Sequence, residues 1–331
     1  MTQKNIMVKE KFFTLSGSTV KKGTSYLARV LPLAVFVLAM AARLGAAFSE
    51  SDTGTSGAQF LSLGAGARAS GMGGAYAGVA DDSSAVYWNP AGLNQISERC
   101  LSVTHNIMFE DIYYDWVSYV KPLASGGALG LGVQYMSYGK IMETDETGLD
   151  VSNFRPNDLA VTGSYGFAIS KLMLGISAKY ISSNIKETAV AYAADAGAMY
   201  KIADGRVSLG LVVQNAGGKI KFKEEGDKLP FNIKFGGAVR LKNNWLLSAD
   251  ANDPVDGKIY FCAGTEYCVK VSKDVTLAAR AGYGTGTEDT GGLSGVTGGI
   301  GADYGDYELD YAFSPFGDLG DVHRITFGLK F

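Results

Sequence analysis

The last eight residues, Arg324-Ile325-Thr326-Phe327-Gly328-Leu329-Lys330-Phe331, alternate strictly between apolar side chains and polar or small ones. Successive residues of a β-strand point to opposite faces, so this strand would have one wholly apolar face, and both charges would lie on the other. The alternation recurs upstream, which predicts a large sheet with one apolar face. Clear examples are residues 128–135, 158–167, 172–180, 231–240 and 275–283.

Two observations favour an apolar face that points outward. The polar parity is made mostly of Gly, Ala, Ser and Thr with scattered charges, which suits a crowded lumen better than a solvated surface. Tyrosines fall near strand ends, where membrane barrels carry aromatic girdles. Because lipid offers the backbone no hydrogen-bond partners, an apolar-outward sheet must close into a barrel. These tyrosines are Tyr135, Tyr138, Tyr180, Tyr267, Tyr283 and Tyr311.

Fourteen strands are predicted, an even number, as in bacterial outer-membrane barrels. Tight connections such as Ser170-Lys171 alternate with longer ones such as residues 139–156 and 217–229. Short periplasmic turns and long outer loops are typical of such barrels, whereas a soluble sandwich has no such bias. The predicted strands are 97–109, 112–121, 127–138, 157–169, 172–182, 190–202, 206–216, 230–241, 244–251, 257–269, 274–284, 292–304, 306–313 and 322–331.

Composition points to one sheet-rich body. The chain has 331 residues with 44 glycines and 7 prolines, and no composition break marks a second domain. Its net charge is −3 and it has no basic stripe, which argues against a nucleic-acid partner.

Residues 1–47 have the pattern of a signal peptide. Lysines and Arg29 precede an apolar run at residues 30–42, and Gly45-Ala46-Ala47 supplies small residues for cleavage before Phe48. A later start at Met7 and an uncleaved anchor remain alternatives. No run of 18 apolar residues follows, so we expect no transmembrane helix in the mature protein.

Residues 48–96 lack strand periodicity and are rich in Gly and Ala, which predicts a compact helix-and-turn segment before a barrel at residues 97–331. Asp81 or Ser83 could cap a short helix there, and Asn89-Pro90 would end it, because proline disfavours helical geometry in the residue before it.

Three motifs in this segment resemble the N-terminal hatch of FadL-like outer-membrane proteins, and more closely the PorV/PorQ branch. They are Gly64-Ala65-Gly66-Ala67-Arg68-Ala69-Ser70-Gly71-Met72-Gly73-Gly74-Ala75, Val79-Ala80-Asp81-Asp82 and Tyr87-Trp88-Asn89-Pro90-Ala91-Gly92-Leu93. The ending, Leu309-Asp310-Tyr311-Ala312-Phe313 with Gly317-Asp318-Leu319-Gly320-Asp321 and His323-Arg324, is similar to the last hairpin of that branch. The hatch-motif residues are then Gly71, Gly73, Gly74, Asp81, Asp82, Asn89, Pro90 and Gly92.

The resemblance implies a monomeric fourteen-stranded barrel, plugged by the hatch, in the outer membrane of a Gram-negative bacterium. It also implies two open mechanisms. One is an accessory of type IX protein secretion that binds and carries exported cargo. The other is a channel for hydrophobic small molecules. A third reading is a structural barrel bound to envelope partners.

Charges on the lumen side of the sheet need partners, because unpaired charges are costly in a plugged interior. We expect pairing between wall and hatch, with Arg68, Asp81 and Asp82 as the hatch partners. Such pairs would hold the hatch in place, and they could also gate its movement. The other expected members are Asp158, Lys179, Asp195, Lys234, Glu266, Arg280, Glu308, Asp310 and Arg324.

A pocket for hydrophobic molecules would be lined by Met72, Tyr76, Tyr87 and Trp88, although packing against the wall explains these residues equally well. Cargo docking would instead use the outer loops at residues 138–154 and 219–228, with Pro315-Phe316.

No enzyme site is predicted. His105 and His323 fall on neighbouring strands near the aromatic girdles, and no nucleophile elbow or metal-binding helix motif accompanies them. The acidic stretch from Asp250 to Asp256 departs from calcium-loop spacing and is interpreted as a hairpin. We therefore expect no cofactor and no metal.

Overall fold

A computed structural model describes residues 54–241, 244–286 and 293–331. These residues form eighteen strands, of which fourteen close into an antiparallel barrel and four form two separate hairpins. The first strand of the barrel pairs with the last. The strands are β1 (Cys100–Ile107), β2 (Tyr113–Pro122), β3 (Ala128–Ser137), β4 (Ile141–Thr144), β5 (Asp150–Phe154), β6 (Asn157–Ile169), β7 (Leu172–Asn184), β8 (Thr188–Ile202), β9 (Val207–Gly217), β10 (Lys219–Lys221), β11 (Gly226–Lys228), β12 (Asn232–Arg240), β13 (Trp245–Pro254), β14 (Tyr260–Lys270), β15 (Val275–Gly284), β16 (Val296–Tyr304), β17 (Tyr307–Pro315) and β18 (Asp321–Lys330).

The prediction of a fourteen-stranded barrel is confirmed, and each predicted strand has a counterpart. The largest difference in bounds is at β16, predicted from residue 292 and observed from Val296. The sequence did not predict β4, β5, β10 and β11, which form two separate hairpins in the connections after β3 and β9. These strands have three to five residues. Such short strands carry too little alternation to be recognised.

The apolar parity points outward, as predicted. Phe327 is 50% exposed, whereas Thr326, its neighbour on the other parity, is 7% exposed. The same holds on β3 and β15, where Leu131 and Leu277 are exposed. In a membrane this outward surface meets acyl chains, while the polar parity lines the lumen.

The two ends of the barrel differ in their connections. At one end the strands join by tight turns, such as Ser170-Lys171 between β6 and β7. At the other end lie both hairpins and the longer loops, so this end faces outward and the tight turns face the periplasm. The first and last residues of the barrel segment meet on the periplasmic side, where the Phe331 amide donates to the Arg99 carbonyl.

The hatch is a chain of short elements inside the lumen. It contains a 3-10 turn at Gln59–Ser62, α1 (Ala67–Gly71), α2 (Ala85–Trp88) and a 3-10 helix at Pro90–Gln95. Its side chains from Ala65 to Leu93 form a core with the inner face of the wall. No helix among the described residues has the length and apolarity needed to cross a membrane.

The helix signals around Asp81 are only partly as expected. Asn89 is extended and ends α2, as the Asn-Pro pair predicts. The cap at the other end is Ser84, and no side-chain hydrogen bond caps the helix, so the expected capping by Asp81 or Ser83 is wrong. Asp82 instead accepts from the Ser84 amide at 2.9 Å. The predicted signal peptide, residues 1–47, lies outside the described residues.

Candidate functional site

The candidate site is the contact between the hatch and the barrel wall. In this contact, the hatch backbone packs directly against glycines of the wall strands. A Cβ atom at Gly282 on β15 would lie 2.1 Å from the Gly73 nitrogen of the hatch. A Cβ atom at Gly175 on β7 would lie 2.2 Å from the Pro90 carbonyl carbon. Only a residue without a Cβ atom permits this approach.

Side chains of the wall also form hydrogen bonds with the hatch backbone. Asp250 on β13 accepts from the amides of Tyr76 and Ala77, both at 2.8 Å. Gln214 on β9 donates to the Tyr87 carbonyl at 2.6 Å. Buried backbone groups must find partners, and here the barrel supplies them to a segment with little regular structure.

The predicted hatch motif forms the tightest turns of this segment. Gly73 and Gly74 have φ of +66° and +76°, in the left-handed region that favours glycine. Asn89 donates to the Ala77 carbonyl at 2.8 Å, and its oxygen accepts from the Ala91 amide at 3.1 Å. Pro90 begins the 3-10 helix. The other two glycines pack closely: Gly71 lies against Gly299, and Gly92 against Ala80.

Arg68 is the centre of a chain of buried charges that we call the Arg68 network. It forms a two-pronged pair with Glu266 on β14, with both N–O distances 2.8 Å. Glu266 also accepts from Arg280 at 2.7 Å, and Arg280 donates to Asp310 at 2.6 Å. The network therefore connects α1 to three wall strands.

The hatch carboxylates continue the Arg68 network. Arg68 donates to Asp81 at 2.7 Å and to Asp82 at 3.1 Å. Asp81 also accepts from Arg240 on β12 at 2.5 Å. The Tyr76 hydroxyl donates to Asp82, and burial raises the pKa of that hydroxyl well above its ordinary value, so it remains a donor.

Other expected lumen charges have different partners from those proposed. Lys179 and Asp195 pair at 2.8 Å, but both belong to the wall: Lys179 is on β7, and Asp195 is at the bulge between β8 and β9. Asp158 accepts from the Tyr138 hydroxyl at 2.5 Å, and Arg324 donates to the Ser314 hydroxyl at 3.0 Å. Among the described residues, no ion pair with the hatch is formed by Asp158, Lys234, Glu308 or Arg324, so the expectation is corrected for these positions.

The four residues proposed to line a hydrophobic pocket pack together in one buried cluster. Met72, Tyr76 and Tyr87 are buried in the core of the hatch. Trp88 donates from its indole nitrogen to the Ala65 carbonyl at 2.7 Å, and its ring borders a cavity on the outer side. The four side chains therefore do not form one apolar pocket.

Two cavities of opposite charge flank the hatch. The periplasmic cavity, of about 370 Å³, borders the Arg68 network together with Glu98, Asp303 and Glu308. The outer cavity, of about 170 Å³, is bordered by Lys234 and Arg324 but by no carboxylate of the described residues. Sequence parity placed Lys234, Glu308 and Arg324 in the lumen, but it carried no signal for which side of the hatch each one faces.

The two histidines do not meet. In the pairing of β1 with β18, His105 lies opposite Ile325, and His323 lies opposite Ile107. His105 contacts Asp115 at 2.6 Å on the outer surface, and His323 contacts the Tyr311 hydroxyl at 2.8 Å. Asp250, considered above for calcium, is occupied by hatch amides. The described residues contain no group of three or more His, Cys, Asp or Glu placed to hold a metal.

Acid is expected to loosen the hatch through Asp81. Burial opposes ionisation of this carboxyl, but Arg68 and Arg240 outweigh burial and hold its pKa below the ordinary 3.8. When a carboxyl has a lower pKa in the folded state than in the unfolded chain, its ionisation stabilises the fold at any pH above the unfolded-state pKa. That stabilisation is lost as the pH falls through the folded-state pKa. We therefore expect stability to drop as the pH falls below about 4, and less steeply in D81N.

The measurement is urea unfolding in detergent between pH 2 and pH 6. The control is E224Q, at an exposed position of the hairpin of β10 and β11. Its free energy of unfolding should depend on pH as steeply as that of the wild type. An acid dependence that D81N leaves unchanged would contradict this assignment.

Comparison with known proteins agrees with this geometry. The family model described as type IX secretion system protein PorV matches residues 47–246. No curated protein matches the chain. Among solved structures, the toluene transporter TodX of Pseudomonas putida is similar with a TM-score of 0.56 and 15% identity, over 81% of this chain and 97% of that one. A FadL homologue of Pseudomonas aeruginosa has a TM-score of 0.53 and 14% identity, over 80% of this chain and 98% of that one.

The two structural likenesses establish the fold, a FadL-like barrel, and the family match covers more than half of the chain. This protein belongs to the PorV family of type IX secretion system proteins.

Proposed function

We propose that this protein is a monomeric outer-membrane accessory of protein export, which binds exported cargo at its outer face and carries it between components of the secretion machinery. The observation that carries the proposal is the PorV family match over residues 47–246. The role needs a docking surface and requires neither a catalytic group nor an open lumen.

The hairpin of β4 and β5 is the candidate docking surface. It extends beyond the barrel, and four of its apolar side chains are exposed: Ile141, Met142, Leu149 and Val151. Lys186, in the next outer turn, donates to Glu143 at 2.5 Å and lies 5.1 Å from the Phe154 ring centroid. These contacts connect the hairpin to the next outer turn, while its apolar side chains remain free to contact a protein.

The hairpin of β10 and β11 supports a different role. Ile220 is buried in a cluster with Phe60 and Leu61 at the start of the hatch, and Lys228 forms a bridge with Ser56. This hairpin therefore covers the outer side of the hatch. Of the two loop regions expected to dock cargo, we propose only the first, β4–β5, for that purpose.

The alternative, passage of hydrophobic molecules, is less well supported. Such passage needs a continuous apolar path. Here hatch backbone rests on wall glycines, and a network of charges crosses the lumen. The likeness to a toluene transporter concerns the fold, so it does not transfer that activity.

The test is affinity purification of the tagged protein from native outer membranes. We expect secreted proteins that share a C-terminal domain to co-purify. The double variant L149D/V151D should lower their yield about tenfold or more, because loss of an apolar anchor in an interface costs more than 1.4 kcal/mol.

V271D is the matched control, because Val271 is as exposed as Val151 but lies at a periplasmic turn. This variant should retain the cargo. Co-purification of long-chain lipid without protein would instead favour the channel, and neither product would favour a structural barrel.

A further inference from the structure

The outer cavity is bordered by two buried cations that form no ion pair with a carboxylate of the described residues. It lies between Trp88 of the hatch and the wall residues Lys234, Tyr260 and Arg324. Lys234 and Arg324 are 4% and 7% exposed. In the periplasmic half, by contrast, Arg68 and Arg280 are each paired with carboxylates.

Lys234 rests on aromatic rings. Its Nζ atom lies 4.6 Å from the Trp88 ring centroid and 5.7 Å from that of Tyr87. Asp250 attracts it from beyond ion-pair distance, and the Asp250 carboxylate already accepts from two hatch amides. An aromatic face stabilises a cation, but it does not use the N–H donors of the Lys234 ammonium, which remain available to an anion.

Arg324 is also incompletely bonded. One terminal nitrogen donates to Ser314, but Nε is buried without a hydrogen-bond partner. A buried donor without a partner is costly, and a guanidinium suits the two oxygens of a carboxylate. Both cations border the same cavity.

The cavity also limits the size and shape of that anion. Its volume of about 170 Å³ is close to that of the engineered cavity of roughly 150 Å³ that binds benzene. Aromatic side chains at Trp88, Tyr260 and Phe316 form part of its wall, and most of the remaining lining residues are glycines and small polar residues. No Leu, Ile, Val or Met is among the described residues that line it, so it offers no slot for a long acyl chain.

We propose that the outer cavity binds a compact, planar carboxylate of about the size of benzoate. Its carboxylate would lie between Lys234 and Arg324, and its ring against Trp88 and Tyr260. The binding is independent of cargo export, since the cavity lies within the barrel and the proposed docking hairpin outside it.

Isothermal titration of the full barrel in detergent tests the proposal, with benzoate as the probe. We expect saturable binding, and affinities at least tenfold weaker for benzyl alcohol, which has the ring without the charge, and for hexadecanoate, which has the charge on a long chain. K234M and R324M should each lower benzoate affinity at least tenfold. K171M, at an exposed periplasmic turn, should leave it unchanged.

Heat-modifiable gel mobility shows whether each variant folds, and K234M remains informative if R324M does not fold. E288Q/D289N removes carboxylates that lie outside the described residues and should retain benzoate binding. The proposal is overturned if benzoate gives no saturable heat, if benzyl alcohol or hexadecanoate binds as tightly, or if folded K234M binds like the wild type.

Discussion

Replacement of Gly282 by valine is expected to displace the hatch and turn a closed barrel into a conducting pore. The new Cβ atom would lie 2.1 Å from the Gly73 nitrogen and 2.3 Å from the Met72 carbonyl carbon. Both are backbone atoms, which cannot rotate away as the end of a side chain can. Overpacking of this kind costs about 1–3 kcal/mol or more, and the hatch is the part that can move, because the barrel strands are fixed by pairing on both sides.

Single-channel recording in planar bilayers checks the result. Wild-type protein should show no stable channel, whereas G282V should show discrete openings. G175V should behave similarly, because its Cβ atom would lie 2.2 Å from the Pro90 carbonyl carbon.

Gly163 on β6 provides a matched control for both glycines. Its added Cβ would meet no atom within 4 Å, and the residue is on the exposed face. G163V should therefore remain closed and change the free energy of unfolding by less than about 0.5 kcal/mol. If G282V and G175V fold and remain as closed as G163V, the hatch does not depend on these contacts.

The barrel could be predicted from the sequence because lipid imposes a period of two on every wall strand. Phe327 faces lipid and must be apolar, whereas Thr326 faces the lumen and need not be. This alternation is repeated around the whole sheet. The hatch could be located by the absence of that period and by its motifs. Its short helix ended at Asn89 as expected because proline restricts the residue before it locally.

The partners inside the lumen could not be predicted in the same way. Arg68 and Glu266 are 198 positions apart, and their contact depends on how the hatch is seated and on the register of several strands. Asp158 and Arg324 have the same inward parity as Glu266, yet they bond to Tyr138 and Ser314. Parity assigns a face of the sheet, but it does not specify depth along the barrel axis.

The Arg68 network makes a second large effect predictable, the loss of stability in E266Q. Glu266 is 4% exposed and accepts three short hydrogen bonds, two from Arg68 and one from Arg280. Glutamine keeps the shape but removes the charge and turns an amide donor toward a guanidinium. Breaking a buried ion pair by changing one partner costs about 3–5 kcal/mol, so we expect a loss of that size in urea unfolding.

The exposed pair of Glu143 and Lys186 is the control for charge removal alone. Both side chains are more than a third exposed, and surface pairs contribute little, so E143Q should unfold like the wild type. The double variant R68M/E266M should recover only part of the loss, because it removes the guanidinium that E266Q leaves unmatched but also deprives Asp82 of that cation. If E266Q is as stable as E143Q, Glu266 does not hold α1 against the wall.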